Sequence, residues 1–434
     1  MSTIENIKER FADLQKTRED AALAMVRNKA IVAFNQWGIP TVKHEEWKYT
    51  RISAIFNTDF DFPLSHTNTF FNAADLDSVR LPGYKDANEL VFIDGIFSSR
   101  FSVIRSGELV VLSLAAAAEG EFAGIVAKYF GDSANYLKDG INALNTALEA
   151  GGIFVHVKNG QVTEHPVYIY NVTDARSGNV LSQPRSLFHV GENAQIKIAE
   201  TYVTLGTGES LSNQVMEIIV EKDAYLEHYK IQNDASHTNQ VSTTHIRQVG
   251  KSLIHNVVIT LNGNIVRNNI NVIMDAERCE AHLYGLYLQK GKSHVDNHTI
   301  VDNVKPNCYS NELYKGILDD EASGVFNGKI FVRPQAQKTN AYQSNKNILL
   351  SANASVNTKP QLEILADDVK CSHGCTVGRL NEEGLFYLQS RGIREETARA
   401  LLLNAYAIDI LEHIKLEPIH AFVDRLISER LELA

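Results

Sequence analysis

Ile153-Phe154-Val155-His156-Val157 is where the chain changes its period. Before it, from about Ala115 to Ala150, helix formers dominate and Gly151-Gly152 closes the segment. From Ile153 the apolar residues alternate in short β-branched or aromatic runs, among them Val167 to Tyr170, Gln195 to Thr201 and Met216 to Val220. Polar turns separate these runs, which continue to about Leu365 with no clear helix, too far for a simple sandwich. A small residue after a polar turn recurs at Ala194, Ala224, Ser252, Cys279, Ala322 and Ala354, at intervals of 30, 28, 27, 43 and 32 residues. Repeats of that order predict a solenoid, in which each coil buries its inner face only against its neighbours. Asn262, Asn264, Asn268, Asn269 and Asn271 suit tight corners, because asparagine tolerates left-handed backbone. The uneven intervals leave a large barrel as the competing architecture.

The flanks read as helix. Ser2-x-x-Glu5 has capping-box spacing, and Ile4, Ile7, Phe11 and Leu14 follow at helical intervals. A second helix runs from about Asp20 to Trp37 and stops at Gly38-Ile39-Pro40. The run His44-Glu45-Glu46-Trp47-Lys48-Tyr49-Thr50 reads as a packed surface turn rather than a ligand site. Leu90 to Phe97 and Glu108 to Leu112 look like strands. Beyond Asn381 the chain is helical again, with Leu385, Phe386 and Leu388 in a short helix ending near Gly392. Ala398, Leu401, Leu402, Ala405, Ile408 and Leu411 form the apolar stripe of the next, with Glu395 and Glu396 at its positive end. Pro418 opens a last helix through Phe422, Leu426 and Ile427. The broad stripe either packs on the solenoid end or docks a partner. Three units follow: a mostly helical one with a few strands at 1–150, the solenoid at 151–378 and a helical one at 379–434.

A chain of 434 residues, 44% of them hydrophobic, holds a real core, and its net charge of -10 argues against nonspecific nucleic-acid binding. No run approaches a membrane span, and Met1 to Arg10 lacks an apolar signal core. Four irregularly spaced cysteines fit free thiols in a reducing cytoplasm. Gly-Lys-Ser occurs at Gly250 and Gly291, but His245 and Leu286 stand where a phosphate-binding loop needs glycine. Any ATP site would belong to another chain.

The chemistry concentrates in Asp367-Asp368-Val369-Lys370-Cys371-Ser372-His373-Gly374-Cys375-Thr376-Val377-Gly378. If Lys370 to Val377 is a strand, Cys371, His373 and Cys375 share one face, a row of soft ligands suited to zinc or iron. The outer two start roughly 13 Å apart, so one ion could take two neighbours but hardly all three. Any metal chemistry needs ligands from elsewhere. The plainer alternative makes the cysteines small buried apolar residues and His373 a hydrogen-bonded edge residue. Cys279 and Cys308 each stand alone in a strand pattern. His294-x-x-x-His298 lies in strand-like sequence that would hold the two rings apart.

The tract from Asp367 to Gly374, followed by Thr376-Val377-Gly378 and Leu385-Phe386-Tyr387-Leu388-Gln389-Ser390-Arg391-Gly392, resembles the SufB/SufD family of the SUF iron–sulfur cluster assembly machinery. His44 to Thr50, Gly324 to Ile330 and Gln343-Ser344-Asn345 through Leu349-Leu350 are similar to other segments of that family. The resemblance implies a mainly β chain, a right-handed parallel β-helix flanked by N-terminal and C-terminal helical domains. It implies a noncatalytic scaffold that pairs with SufB through the β-helix and docks the ATPase SufC through the C-terminal helices. It further implies that Cys371 and His373 lie at the SufB–SufD interface, where iron or nascent iron–sulfur cluster is held jointly, with His373 the candidate ligand. SufB-type chains typically carry glutamate and histidine there, so Cys-Ser-His favours the SufD branch. Cys375 and Arg394 depart from the family pattern, and no role comes over for Cys375. The rival classes are a carbohydrate-active β-helix enzyme, for which Asp296 and Asp302 are the nearest paired carboxylates, and a homodimeric adaptor using the same β-helix face.

Overall fold

The computed structural model describes residues 3–17, 21–63 and 70–431. Its centre is a parallel β-solenoid of about eight turns, built as two facing sheets. The first sheet stacks, in order, Asn88–Ile93, Val167–Ala175, Gln195–Gly206, Tyr225–Asn233, Leu253–Asn262, Glu280–Gln289, Tyr309–Leu318, Asn340–Leu349 and Lys370–Gly378. The second stacks Leu109–Ser113, Ile153–Val157, Arg185–Val190, Ser210–Val220, Asn239–Gln248, Ile265–Met274, His294–Asn303 and Ser323–Val332. A broken strand, Ser355–Thr358 and Gln361–Ile364, ends that sheet. At the N-terminal end both sheets finish antiparallel, Ile96–Phe97 on the first and Leu109–Ser113 on the second. Leu90 to Phe97 is therefore a hairpin rather than one strand, turned at Asp94-Gly95 with both residues at positive φ.

Neighbouring coils stack in register, so that Tyr225 lies beside Leu253, Leu253 beside Glu280, Glu280 beside Tyr309 and Tyr309 beside Asn340. One corner explains the recurrence of small residues. Asn193, Asp223, Arg278, Asn307 and Lys338 adopt left-handed backbone, and each is followed by a buried residue: Ala194, Ala224, Cys279, Cys308 and Thr339. The 43-residue interval arises because Ala322 and Ala354 precede strands of the second sheet, whereas the first corner continues through Cys308. Cys279 and Cys308 do not stand alone: they occupy one column and both thiols donate to the Ala276 carbonyl, at 3.2 and 3.3 Å. Of the five asparagines, only Asn264 lies in a connection between strands, beside Gly263. None has left-handed backbone, and Asn268, Asn269 and Asn271 lie within the strand Ile265–Met274.

The solenoid interior is only half apolar. Leu226, Ile254, Leu283 and Val295 pack along the axis, and polar side chains fill the gaps between them. Glu200, His228 and Lys230 are fully buried there. Lys230 Nζ lies 3.3 Å from Glu200 and donates to Ser242 Oγ at 2.9 Å and Thr244 Oγ1 at 3.0 Å. Tyr202 and Gln214 donate to the other carboxylate oxygen. Burial would raise the Glu200 pKa, but Lys230 and His228 together hold it at about 2. Further along the axis Asn268 donates to Asn297 at 3.0 Å and accepts from Gln232 at 2.9 Å.

Helices cover the two outer faces. Helices α1 (Thr3–Thr17) and α2 (Ala21–Trp37) bury Ile7, Phe11 and Phe34 in a cluster that reaches Leu181, Leu211 and Val241 of the second sheet. The Ser2–Glu5 capping box lies outside the described residues. Helix α3 (Ala73–Val79) packs toward the first sheet; α4 (Leu114–Glu119), α5 (Ala123–Tyr129) and α6 (Gly140–Ala147) cover the second. Gly140 touches the Gly38 carbonyl, where any Cβ would come within 1.9 Å, so α2 and α6 meet backbone to backbone.

Of the C-terminal helices α7 (Glu382–Ser390), α8 (Glu395–Leu411) and α9 (Glu417–Arg430), α8 and α9 lie along the outer face of the first sheet rather than across the solenoid end, while α7 buries no residue and contacts α8. Leu403, Ala407 and Ile410 of α8 and Ile419, Val423 and Ile427 of α9 bury against Tyr229, Val257, Ile259 and Leu286. The apolar stripe expected of α8 splits. Ala398 and Leu411 are buried, while Leu401 and Ile408 face solvent. Arg394, at the N-cap of α8, makes no side-chain cap. Between α8 and α9 the His413 ring stacks on Tyr284 at 3.5 Å, and its carbonyl sits 2.6 Å from His255 Nε2.

Two predictions follow from this packing. Lys230→Ala, which leaves the buried Glu200 without its ammonium, is expected to cost about 3–5 kcal/mol in urea unfolding; Lys230→Met with Glu200→Gln should cost less than either single change. Burial pushes the His255 pKa down to about 4, against the opposing pull of its hydrogen bond with the His413 carbonyl, and lowers that of His413 as well. The unfolded chain therefore takes up protons first, so this stability is complete above about pH 6.5 and is lost as pH falls toward 4. Hydrogen exchange of α8 and α9, corrected for intrinsic rate, should rise over that window. Protection unchanged from pH 7 to 4.5 would refute the assignment.

Candidate functional site

Lys370–Gly378 pairs in parallel with Asn340–Leu349 along one edge only. Cys371 lies beside Ala341, His373 beside Gln343 and Cys375 beside Asn345. Ala341, Gln343 and Asn345 are buried in the interior. Because paired residues of parallel strands point the same way, Cys371, His373 and Cys375 extend the inner face one coil further. The opposite sheet has already ended at Ile364, so among the described residues no strand faces this row. The row lies at an open mouth. Cys371 is half-buried against the interior core, and burial raises its thiol pKa. His373 and Cys375 are exposed.

The layer beneath the mouth is polar and buried. Gln343 donates to Glu312 at 2.6 Å, and burial pushes the Glu312 carboxyl up to about 7. Tyr287 donates to Asn347, and Asn345 donates to the Tyr287 hydroxyl at 3.1 Å. Gly285 makes room for the Tyr314 ring, which a Cβ would meet at 2.2 Å. Sequence reasoning missed this layer, because polar residues in a strand are ordinarily assigned to the solvent face.

His44 to Thr50 forms a packed turn, centred on a short 3₁₀ helix at Glu45–Trp47, that clasps the outer face of the second sheet. Trp47 is 1% exposed, and the Arg267 guanidinium lies 3.8 Å from its ring. Arg267 also donates to the Glu46 carbonyl at 2.6 Å and to Asp296 at 2.8 Å. A hydrogen bond with His298, reinforced by Lys329, holds the Glu46 carboxyl down at about 2. The carboxylates that a sugar-cleaving enzyme would need are committed elsewhere. Asp296 takes Arg267, His298 and Thr50, and Asp302 takes Arg333 at 2.8 Å and Tyr136 at 2.9 Å. Burial would raise the Asp296 pKa, yet His298 and Arg267 hold it below the usual carboxylate range, the wrong direction for a general acid. His294 hydrogen-bonds Thr50 and Ser323, and His298 pairs with Asp296 and Glu46, so the two rings serve separate contacts.

Residues 4–169 match a family profile described as SufBD protein N-terminal region, and residues 171–406 match one described as SUF system FeS cluster assembly, SufBD core domain. This chain belongs to the SufBD family. It is 31% identical over 406 residues to the iron–sulfur cluster assembly protein SufD of Escherichia coli strain K12, covering 91% of this chain and 90% of that relative. It is also 30% identical over 426 residues to an iron–sulfur cluster assembly SufBD family protein of Synechocystis, covering 95% and 92%. The SufBD assignment joins the chain to iron–sulfur cluster assembly in the SUF system. Among the described residues, no helix is long and apolar enough to cross a membrane, and no group of three His, Cys, Asp or Glu side chains is gathered to hold a metal ion.

The four thiols of this SufBD chain should differ in reactivity. With iodoacetamide on the folded protein, Cys375 is expected to alkylate first and Cys371 more slowly. Cys279 and Cys308 should stay protected until unfolding. Peptide mass spectrometry reads the order, and early labelling of Cys279 or Cys308 would contradict the corner column.

Proposed function

We propose that this chain is a SufD-type, noncatalytic scaffold of the SUF machinery, and that it pairs with a SufB-type paralogue across the open mouth of the β-helix. The observation that carries this reading is the terminal strand, which has one free edge and an inner row that no strand opposes. A free edge is a template for a strand from another chain. Iron or a nascent cluster is cargo here. His373 supplies an imidazole and Cys371 a thiol, and their in-line spacing leaves the remaining ligands to the partner. The four unpaired cysteines suit a cytoplasmic setting.

The C-terminal helices are proposed to dock the ATPase SufC, since this chain carries no phosphate-binding loop of its own. Phe386 and Tyr387 of α7 and Leu401 and Ile408 of α8 form exposed apolar surface outside the buried stripe. In isolation the same free edge suits a second copy of this chain, and the mass of the purified protein separates a monomer from that homodimer.

Two experiments test these assignments. His373→Ala, reconstituted anaerobically with SufB and SufC, should lower cluster formation while leaving the complex intact; undiminished formation would remove His373 from the site. Phe386→Arg combined with Leu401→Arg should abolish retention of SufC in a pull-down without shifting the melting temperature, because both side chains are exposed. Retained SufC would place the docking surface elsewhere.

A further inference from the structure

The clasp of His44 to Thr50 does not close completely on the second sheet. Beside it opens a cavity of about 740 Å³, within the range of small-molecule sites. Its floor is the stacked outer face of three in-register strands, with Asn271, Ile300 and Lys329 side by side. Trp47 and Trp37 stand on one wall, and the segment Tyr136 to Asp139, ahead of α6, forms the other.

The uncommitted polar groups around the cavity include one amide acceptor, Asn327 Oδ1, but three donors. Asn271 is 1% exposed and its Nδ2 has no partner. Arg333, which also lines the cavity, spends Nε and Nη2 on Asp302 and leaves Nη1 uncommitted. Lys138 lines the cavity with no ion pair among the described residues. The carboxylates are, by contrast, all engaged. Glu46 pairs with Lys329, Glu45 pairs with Lys359, and Asp139 accepts from Trp47 and caps α6. A cavity whose spare groups donate favours a ligand that brings acceptor oxygens. The indole of Trp37, the Phe331 ring and Ile300 supply apolar surface for a flat body.

We propose that this cavity binds an aromatic acid: a planar ring system bearing one carboxylate, sulfonate or phosphate, with the acidic group toward Asn271 and Lys138. The site lies on the outside of the second sheet, whereas His373 belongs to the first, so it stands or falls independently of the cluster assignment.

The chain contains two tryptophans, Trp37 and Trp47, and both line the cavity. Energy transfer from tryptophan to a bound dye therefore reports on this site. The full chain is titrated with 8-anilinonaphthalene-1-sulfonate and with uncharged N-phenyl-1-naphthylamine. We expect saturable one-to-one transfer to the sulfonate, and binding of the neutral dye weaker by about tenfold or more. Asn271→Leu and Lys138→Gln should each weaken the sulfonate by roughly threefold to tenfold while leaving the neutral dye unchanged. Lys138 is exposed, so its variant keeps the test valid should Asn271→Leu misfold. No saturable transfer, equal affinity for the two dyes, or unchanged sulfonate binding in the folded variants would overturn the proposal.

Discussion

Parallel, in-register stacking of one coil on the next governs this molecule. Each residue of a strand lies beside its counterpart about one coil away, so a choice made in one turn constrains every turn. A left-handed residue followed by a small buried one recurs at the same corner from Asn193-Ala194 to Lys338-Thr339, except at Lys251-Ser252, where Ser252 is buried but Lys251 is not left-handed. The same constraint sets the interior chemistry. A buried carboxylate such as Glu200 is tolerated because the coil beside it places His228 and Lys230 within reach.

The sequence carried this constraint unevenly. Alternation of apolar residues was legible in strands such as Ile153–Val157, because a strand's two faces differ whenever one is buried. The corner column was legible through Ala194, Ala224, Ser252 and Cys279, but it was lost at Cys308, which looks like an isolated residue in one dimension. The asparagines misled for a related reason. Asparagine suits a corner, yet it also satisfies a neighbouring asparagine one coil away, and Asn268 with Asn297 makes that second use.

The candidate site was half legible. Strand alternation sufficed to place Cys371, His373 and Cys375 on one face. That this face is the interior one, at a mouth with no opposing strand, depends on where the other sheet stops, which only the stacking reveals. The α8 stripe was misjudged because the helix carries apolar residues on two faces. Periodicity cannot say which face the sheet takes, and the sheet takes Leu403, Ala407 and Ile410. The cavity beside Trp47 lay beyond sequence reasoning, since its walls and floor are contributed by segments far apart in the chain, around Trp47, Tyr136 and Ile300.

The two ends of the solenoid differ. At the N-terminal end, Ile96–Phe97 and Leu109–Ser113 run antiparallel to their neighbours, which breaks the repeat and offers no continuation to an arriving parallel coil. At the other end, Lys370–Gly378 continues the parallel repeat and stops with an open edge. A stack with two open ends could add subunits head to tail without limit, as a fibre does. In the pairing proposed above, joining through that edge would consume it and end growth after one step. In such a pairing the antiparallel strands at the far end would limit the assembly to a closed pair.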